Sequence, residues 1–279
     1  MKKLYAVIGD PIAHSMSPAM HNDLFQLYGI DAHYHALRVE KENLEAAVKG
    51  LKAIGVEGFN VTVPHKTSII PFLDELDPLA KSIGAVNTVV NQNGKFIGYN
   101  TDGSGYVKGL ATVLNLRKDL SVLIIGAGGA ARAIYFTMAH SGIRHIDITN
   151  RTTQKAEELI NDCPYDVNSK VLNLTEAEGY LNQYDLLIQT TSIGMSPQLD
   201  DSPLSLYNLK GNAFVSDIIY NPPQTKLLQQ AKAKGAEVQN GIQMFVFQGA
   251  LAFEKWTGVF PDTDRMKNTV LTILGGKRC

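Results

Sequence analysis

The chain has 279 residues, of which 44% are hydrophobic and 19% charged, and its formal net charge is −1. This length allows two domains with separate cores, and the composition is typical of a globular protein. The near balance of 26 basic and 27 acidic residues leaves no basic stripe for nucleic acid or polybasic patch for a membrane, and no apolar run approaches the roughly 18 residues of a membrane span.

The cysteines and the N-terminal sequence bear on location. Two cysteines, Cys163 and Cys279, are too few for a disulfide framework or a metal knuckle, which favours a reducing, cytoplasmic setting. The apolar stretch before Gly9 is about half the length of a signal-peptide core, and Asp10-Pro11 stands where a cleavage site would be expected. We therefore predict a buried strand there.

Short apolar runs alternate with helical patterns along the chain, which is typical of parallel α/β architecture. The predicted elements of the first hundred residues are a strand over Leu4–Ile8, a helix that begins at Ser17-Pro18 with serine as its cap, a strand over His33–Val39, a helix over Asn43–Leu51, a strand over Gly58–Val63 and a hairpin of Thr88–Val90 with Lys95–Ile97.

A second series of elements begins after Asp102. The predicted elements are a helix over Gly103–Leu114, a strand over Ser121–Ile125, a helix over Ala130–Ser141, strands over His145–Thr149, Asp185–Gln189 and Ala213–Asp217, and helices over Gly241–Trp256 and Asp262–Leu274. The last two helices follow no new strand pattern. We therefore expect a first domain over residues 1–101, a second over 102–241, and a return of residues 242–279 to the first domain.

Gly126-Ala-Gly-Gly-Ala-Ala131 joins a predicted strand to a predicted helix, which is where a dinucleotide-binding turn belongs. The first glycine permits the tight turn, the second lets the backbone approach a pyrophosphate, and Ala131 allows close packing of helix on strand. Free N–H groups and the helix dipole attract the phosphates. The pattern predicts a nicotinamide dinucleotide domain, with an ordinary strand–helix turn as the alternative.

The end of the next strand decides which dinucleotide fits. Asp147 has about the spacing of the carboxylate that binds the ribose of NAD, but alternation places it in the middle of the strand. Arg151 follows the strand end and offers a planar fork to a 2′-phosphate, and Lys155 adds a second positive charge one helical turn later. This favours NADP, although two solvated charges at a helix start would give the same pattern.

Polar side chains gather near the predicted strand ends of the first domain. Taken singly, each has an ordinary explanation: Ser17 as a helix cap, Lys66 as an exposed lysine beside a strand end, and Asp102 as an N-cap of the helix from Gly103. The cluster consists of Ser15, Ser17, Asn60, Thr62, Lys66, Asn87 and Asp102.

Eight motifs are spread over essentially the whole chain: Gly9–Pro18, Phe59–Lys66, Gly84–Thr88, Tyr99–Gly103, Gly126–Arg132, Asn150–Thr152, Asp217–Pro222 and Gly241–Met244. Together and in this order they resemble the shikimate dehydrogenase family of aromatic amino-acid biosynthesis. Gln243 and Phe245 depart from the smaller or more aliphatic residues that we expect at their positions.

The resemblance implies an α/β fold with an N-terminal substrate domain, a Rossmann-type NADP-binding domain and C-terminal helices that return to the first domain. It also implies reversible reduction of 3-dehydroshikimate to shikimate with NADPH. Carried over to this chain, the substrate residues would be Ser15 and Ser17 for the carboxylate, and Asn60, Thr62, Lys66, Asn87, Asp102, Tyr220 and Gln248 for the rest of the molecule. The NADP residues would be Gly126, Ala127, Gly128, Gly129, Ala130, Asn150, Arg151, Thr152, Lys155, Ile218, Gly241 and Met244.

Hydride transfer to a ketone leaves an alkoxide that needs a proton as it forms. A lysine suits this task because its charge stabilises the oxyanion and its proton can be transferred. By the resemblance, Lys66 is the acid/base, and Asp102 orients both the lysine and the substrate.

Other functions remain as alternatives. A quinate/shikimate dehydrogenase that prefers NAD is disfavoured by Arg151 with Lys155 and by the paired Ser15 and Ser17, and a catalytically silent NADP-binding regulator by Lys66 with Asp102. A tetrahydrofolate dehydrogenase lacks support in the substrate motifs.

His14, His21 and His65 have no metal-ligand spacing, so we expect no metal. We expect a monomer or a homodimer.

Overall fold

The protein, described by a computed structural model over residues 2–276, divides into two compact units. The first unit comprises residues 2–105 and 246–276, and the second comprises residues 106–245. Cys279 lies outside the described residues, so only Cys163 of the two cysteines can be located.

The first unit is built from a mixed sheet and six helices that belong to it wholly or in part. Its elements are β1 (Lys3–Gly9), α1 (Ser17–Leu27), β2 (Ala32–Arg38), α2 (Leu44–Ala53), β3 (Gly58–Val61), β4 (Glu75–Leu76), α3 (Pro78–Ile83), β5 (Thr88–Gln92), β6 (Lys95–Tyr99) and, at its boundaries, α4 (Thr101–Leu110) and α9 (Ile242–Thr257), followed by α10 (Thr263–Gly276). Short 3-10 turns precede α2 and β4.

The sheet of the first unit has the strand order β2-β1-β3-β5-β6-β4. β1 runs parallel to β2 and β3, whereas β5 is antiparallel to both β3 and β6. The carboxyl end of β3 therefore lies at the same edge as the start of β5 and the end of β6. Thr88 is the register partner of both Asn60 and Tyr99, which fixes that edge.

The C-terminal helices pack on the first unit. Trp256 of α9 donates its indole N–H to the carbonyl of Val89 at 3.0 Å, and a side chain at Gly58 would collide with the indole ring. Arg265 of α10 forms a bidentate pair with Asp23 of α1 at 2.6 and 2.7 Å. Helices α9 and α10 therefore contact β3, β5 and α1 of the first unit.

The second unit is a doubly wound sheet in which every strand is parallel to its neighbours. Its elements after α4 are β7 (Ser121–Ile125), α5 (Gly129–His140), β8 (His145–Thr149), α6 (Thr153–Asn161), β9 (Val171–Leu172), α7 (Leu174–Tyr180), β10 (Leu186–Gln189), β11 (Phe214–Asp217), α8 (Lys226–Ala233) and β12 (Glu237–Gln239). The strand order is β12-β11-β10-β7-β8-β9, so the direction of winding reverses between β7 and β10. Dinucleotides bind outside the carboxyl ends of the strands at such a reversal.

Several local predictions were wrong. Ser17 is the first residue of α1, and the preceding Met16 occupies the cap position without a side-chain hydrogen bond. The helix expected to reach Leu114 ends at Leu110. The edge strands β4, β9 and β12 were missed because two or three residues carry no readable alternation.

Among residues 2–276, no helix combines the length and apolar character needed to cross a membrane.

His21 is the least expected core residue of the first unit. Its side chain is fully buried in α1, its ring stacks on Tyr34 with 4.6 Å between centroids, and Phe253 and Trp256 complete the surrounding aromatic cluster. Neither ring nitrogen has a hydrogen-bond partner among the described residues. Burial lowers the pKa of His21 to about 3, so the imidazole is neutral in the folded protein.

Acid pH should therefore destabilise the fold through His21. An unfolded histidine has a pKa near 6.5, so its folded-state penalty grows as the pH falls from about 6.5 toward 3. Between pH 7 and pH 4.5, the unfolding free energy of the wild type should fall by about 2 to 3 kcal/mol more than that of His21→Phe. Urea titration at the two pH values measures both free energies. His14→Phe, an exposed control, should keep the wild-type pH dependence. A wild-type slope in His21→Phe would contradict the assignment.

Candidate active site

Lys66 and Asp102 form the closest charged pair at the carboxyl edge of the first unit's sheet. The Nζ of Lys66 lies 2.6 Å from Oδ2 of Asp102, and the side chains are 34% and 14% exposed, respectively. Asp102 is thus largely shielded from water, while the lysine reaches it from a more open position. The ammonium has three donors, and among the described residues only Asp102 accepts from it.

The chain brings this pair together through the strand arrangement of the first unit. Lys66 follows β3 after a tight turn, in which the N–H of His65 donates to the carbonyl of Thr62 at 2.9 Å. The buried ring of His65 contacts the carbonyl of Val39 through Nε2 at 2.6 Å, which ties the turn to the end of β2. Asp102 lies in the first turn of α4, directly after β6.

Asn87 fixes the direction of the Asp102 carboxylate. Its Nδ2 donates to Oδ1 of Asp102 at 2.9 Å and to the hydroxyl of Thr101 at 2.9 Å. Its Oδ1 accepts from the backbone N–H of Thr101 at 2.7 Å. Asn87 is 2% exposed, so these bonds form away from water and hold α4 against the start of β5.

Asp102 is not the N-cap of α4, contrary to the structural alternative considered above. The side chain of Asn100 takes that role, since its Oδ1 accepts from the N–H groups of Asp102 and Gly103 at 3.1 and 3.4 Å. The carboxylate of Asp102 is therefore left for Lys66 and Asn87.

Asn60 lies between this site and the segment of Ser15 and Ser17, called the serine segment below. Both ends of its side-chain amide are hydrogen-bonded to protein groups. Its Nδ2 donates to the carbonyl of Asn87 and to the hydroxyl of Thr88, both at 3.0 Å, and its Oδ1 accepts from the hydroxyl of Tyr34 at 2.7 Å. Burial raises the pKa of Tyr34 well above its usual value, and the neighbouring Ser17 side chain opposes this rise. A line of polar side chains thus runs from Ser17 to Asp102.

The remaining predicted substrate residues of the first unit lie in three places. Ser15 is half-buried, and its hydroxyl accepts from the N–H of Ser17 at 3.3 Å just before α1. Thr62 is half-buried directly after β3. Gln248 lies on α9 where its backbone packs so tightly on Gly105 that any larger residue would collide with it.

The glycine turn of the second unit has the expected conformation. Gly126 has a φ of +114°, and a side chain there would collide with Thr190. α5 begins at Gly129 with Gly128 as its cap residue, and no described side chain caps its first turn. A Cβ at Gly128 or Gly129 would meet no protein atom within 4 Å. Protein packing therefore does not require these two glycines, whereas close approach of a pyrophosphate does.

Two positively charged side chains follow the end of β8. Arg151 and Lys155 are exposed, and neither forms an ion pair with a described residue. Asn150 donates to the carbonyl of Thr152, the cap residue of α6, at 2.8 Å. The N–H of Gly126 donates to the Thr149 carbonyl, which ties this strand end to the glycine turn.

The carboxylate of Asp147 is hydrogen-bonded to neighbouring residues of the second unit. Its carboxylate accepts from the hydroxyl of Tyr184 at 2.7 Å and from the N–H of Lys170 at 2.8 Å, in the middle of β8. It is therefore held by its neighbours within the sheet, and the mid-strand position inferred from alternation is correct.

A cavity of about 540 Å³ lies at the carboxyl ends of β10 and β11. It is lined by Thr190, Thr191, Ser192, Met195, Ser196, Ile218, Ile219, Tyr220 and Asn221. Two predicted residues, Ile218 and Tyr220, are thus on its wall. Gly241 packs directly on the backbone of Ile218 and donates its N–H to the Ile219 carbonyl at 2.9 Å, while Met244 is half-buried in the first turn of α9.

Some supporting residues escaped sequence reasoning. Tyr34 lies outside the eight motifs, and Asn100 and Thr101 lie inside the Tyr99–Gly103 motif but were given no role of their own. Among residues 2–276, no group of three or more histidine, cysteine, aspartate and glutamate side chains is placed to hold a metal ion.

Comparison with known proteins places the chain in a family. Residues 7–89 match the shikimate dehydrogenase substrate binding domain, residues 110–201 match shikimate/quinate 5-dehydrogenase, and residues 241–271 match the shikimate 5′-dehydrogenase C-terminal domain. The chain is 56% identical to shikimate dehydrogenase (NADP(+)) of Bacillus cereus strain AH187 over 277 residues, which cover 99% of this chain and 100% of that protein. The chain belongs to the shikimate dehydrogenase family.

Solved structures of this family have the same fold. A shikimate dehydrogenase crystallised with NADP+ has a TM-score of 0.91 at 42% identity, covering 97% of this chain and 95% of that chain. The enzyme from Listeria monocytogenes, in complex with shikimate and NAD, has a TM-score of 0.92 at 34% identity, covering 96% of each chain. The predicted family and fold class are confirmed.

Asn87→Ala should destabilise the first unit. It leaves the buried N–H of Thr101 without its acceptor, which costs about 1 to 3 kcal/mol, and releases Asp102. Urea unfolding should show a loss of this size. Asn91→Ala in β5 is the control, because the Asn91 amide likewise accepts from one backbone N–H, that of Gly94, but donates to the Val56 carbonyl and makes no contact with Asp102. Equal stability losses accompanied by equal effects on shikimate affinity would contradict a special role for Asn87.

Proposed function

We propose that the protein catalyses the reversible NADPH-dependent reduction of 3-dehydroshikimate to shikimate. The observation that carries this proposal is the shielded Lys66–Asp102 pair at an edge where several polar side chains converge. Family membership adds the reaction class, because the similar Bacillus cereus protein is a shikimate dehydrogenase (NADP(+)).

The lysine fits the role of proton donor. When bound, NADPH supplies the hydride that reduces the ketone carbon. Lys66 gives one ammonium proton to the carbonyl oxygen as negative charge develops there, and in the reverse direction the neutral amine removes it. Its remaining N–H donors can stabilise the oxyanion, because only one is taken by Asp102.

Asp102 and Asn87 orient the reacting groups. The carboxylate receives Lys66 on one oxygen and Asn87 on the other, so its plane is fixed by two partners. The lysine stem, which has several rotatable bonds, is thereby held at one position. We infer that Thr62 and Asp102 contact the ring hydroxyls directly and that Asn60, whose amide is already hydrogen-bonded, supports them from behind.

The serine segment suits the substrate carboxylate. Ser15 and Ser17 present hydroxyl groups just before and at the first residue of α1, where the helix dipole favours negative charge. Ser17 also lies beside Tyr34, so the carboxylate-binding end is connected to the reactive pair through the buried polar side chains.

The residues of the second unit fit NADP. The uncapped first turn of α5 offers N–H groups to a pyrophosphate, and Arg151 with Lys155 offers free positive charge to a 2′-phosphate. Asp147 is hydrogen-bonded within the sheet, which removes the usual carboxylate partner of an NAD ribose. Ile218 and Met244 would lie near the nicotinamide. A cytoplasmic location is consistent with the free Cys163 thiol.

Lys66→Met should abolish most turnover while leaving substrate binding largely intact. Removal of a general acid costs about 10²- to 10⁴-fold in rate. The measurements are the initial rate at 340 nm with shikimate and NADP, and the shikimate dissociation constant by calorimetry. Lys66→Arg keeps the charge but holds its proton too tightly to transfer it, so it should also be slow.

Lys52→Met provides the matched control for this experiment. Lys52 pairs with Asp74 at 2.8 Å in the same unit, outside the site. It should retain wild-type turnover. Near-normal turnover of Lys66→Met with normal shikimate affinity would refute the acid/base assignment, and a wild type that oxidises quinate with NAD faster than shikimate with NADP would refute the substrate and cofactor assignment.

Arg151→Ala should weaken NADP binding selectively. Loss of a charge-assisted contact to the 2′-phosphate should raise the NADP dissociation constant about 10- to 100-fold and change that of NAD by less than about twofold. Fluorescence titration of the reduced cofactors measures both. Arg144→Ala is the control, since Arg144 precedes β8 at the opposite edge and pairs with Asp166. Equal weakening of both cofactors in Arg151→Ala would argue against 2′-phosphate recognition.

A further inference from the structure

Two neighbouring strands of the second unit end in buried polar residues. Gln189 ends β10 and Asp217 ends β11, the two are register partners across the parallel pair, and their exposures are 0% and 1%. Neither side chain lines the 540 Å³ cavity, whose wall is formed by residues 190–192, 195–196 and 218–221, in the loops that follow the two strands. They lie behind the wall.

Gln189 uses its whole side-chain amide on the first loop. Its Nε2 donates to the hydroxyl of Thr191 at 2.9 Å and to the carbonyl of Ile193 at 3.1 Å. Its Oε1 accepts from the N–H of Thr191 at 3.0 Å. These bonds fold residues 190–193 back over the end of β10, before Gly194 turns the chain with a φ of +90°.

Asp217 uses its carboxylate on both ends of the second loop. Its Oδ1 accepts from the N–H of Ile219 at 2.9 Å, and its Oδ2 accepts from the hydroxyl of Thr225 at 2.7 Å. Thr225 is also the N-cap of α8. The loop that carries Ile218 and Tyr220 is therefore closed on one carboxylate.

Burying the polar side chains of Gln189 and Asp217 costs free energy of desolvation, and their hydrogen bonds to the two loops offset this cost. Removal from water raises the pKa of Asp217 to about 6, and its hydrogen bonds to Ile219 and Thr225 oppose this rise. The parallel sheet itself requires no polar side chain at these two positions, because its other buried residues are mostly apolar. The polar contacts of Gln189 and Asp217 are directed to the loops.

We propose that Gln189 and Asp217 are positioning residues that hold the two loops in the shape that accepts the nicotinamide half of the cofactor. This inference rests on the proposed NADP-dependent function. It places the pyrophosphate at the glycine turn and the 2′-phosphate at Arg151, and it makes the affinity of the nicotinamide half depend on two side chains that do not touch it.

The test compares a whole cofactor with its adenine half. Gln189→Leu and Asp217→Asn are titrated with NADPH and with adenosine 2′,5′-bisphosphate, which lacks the nicotinamide. We expect NADPH to bind about tenfold more weakly to each variant, since Gln189→Leu loses three hydrogen bonds and Asp217→Asn replaces one of two buried acceptor oxygens with a donor, and the bisphosphate to bind within about twofold of the wild type. The rate of shikimate oxidation at saturating NADP should also fall.

Asp185→Asn is the matched control. Asp185 likewise accepts from one backbone N–H, that of Ser121 at 3.1 Å, and from one side chain, that of Lys210 at 2.7 Å, but at the amino edge of the same sheet. It should bind both ligands like the wild type. A general loss of stability in the second unit would instead weaken both ligands in all three variants.

Failure of the positioning role and failure of the proposed NADP-dependent function give different results in this experiment. NADPH affinity unchanged in Gln189→Leu and Asp217→Asn, or equal weakening of both ligands, would overturn the positioning role. A wild type that binds neither ligand would overturn the proposed function instead. If Asp217→Asn does not fold, Thr225→Val removes the same hydrogen bond from its other end and is judged by the same two affinities.

Discussion

The side-chain amide of Asn87 joins the start of β5 to the first turn of α4, and the Lys66–Asp102 ion pair depends on this contact. One end of the amide holds the N–H of Thr101, and the other holds the carboxylate of Asp102. The carboxylate direction is therefore set by buried groups rather than by the flexible Lys66. The topology makes this possible, because only the antiparallel pairing of β5 with β3 and β6 brings these segments to one edge.

The second unit depends on a different constraint, the reversal of winding between β7 and β10. The reversal leaves the carboxyl ends of these strands without a crossover helix between them. Gly126 can turn there because it has no side chain to collide with Thr190, whose hydroxyl in turn donates to the Ile125 carbonyl at 2.7 Å. The glycine turn and the loop after β10 are thus built against each other, which explains why the most recognisable motif of the sequence lies at this point.

The sequence predicted the elements whose signals are local and long. Continuous apolar runs indicated β1 and β7, and the glycine turn indicated the second unit, since both depend on residues adjacent in the chain. β4, β9 and β12 were missed because their pairing depends on distant partners. Asp102 illustrates the same limit within the site: its place after β6 could be predicted, but its release from capping depends on Asn100, whose role only the folded backbone reveals.

Three buried polar side chains at strand ends of the two units are compensated by hydrogen bonds, whereas the His21 ring is not. Asn87, Gln189 and Asp217 lie at carboxyl edges, and each offsets its desolvation with hydrogen bonds to backbone N–H groups or to side chains of a segment that lines a candidate site. His21 lies within the aromatic cluster of α1 and α9, has no such bond, and is retained as a flat neutral ring. Buried polar side chains therefore serve two purposes in this fold. Asn87, Gln189 and Asp217, which are hydrogen-bonded, each hold a loop or a carboxylate in place. His21, which is surrounded by aromatic rings, supports only the packing of α9 on the first unit.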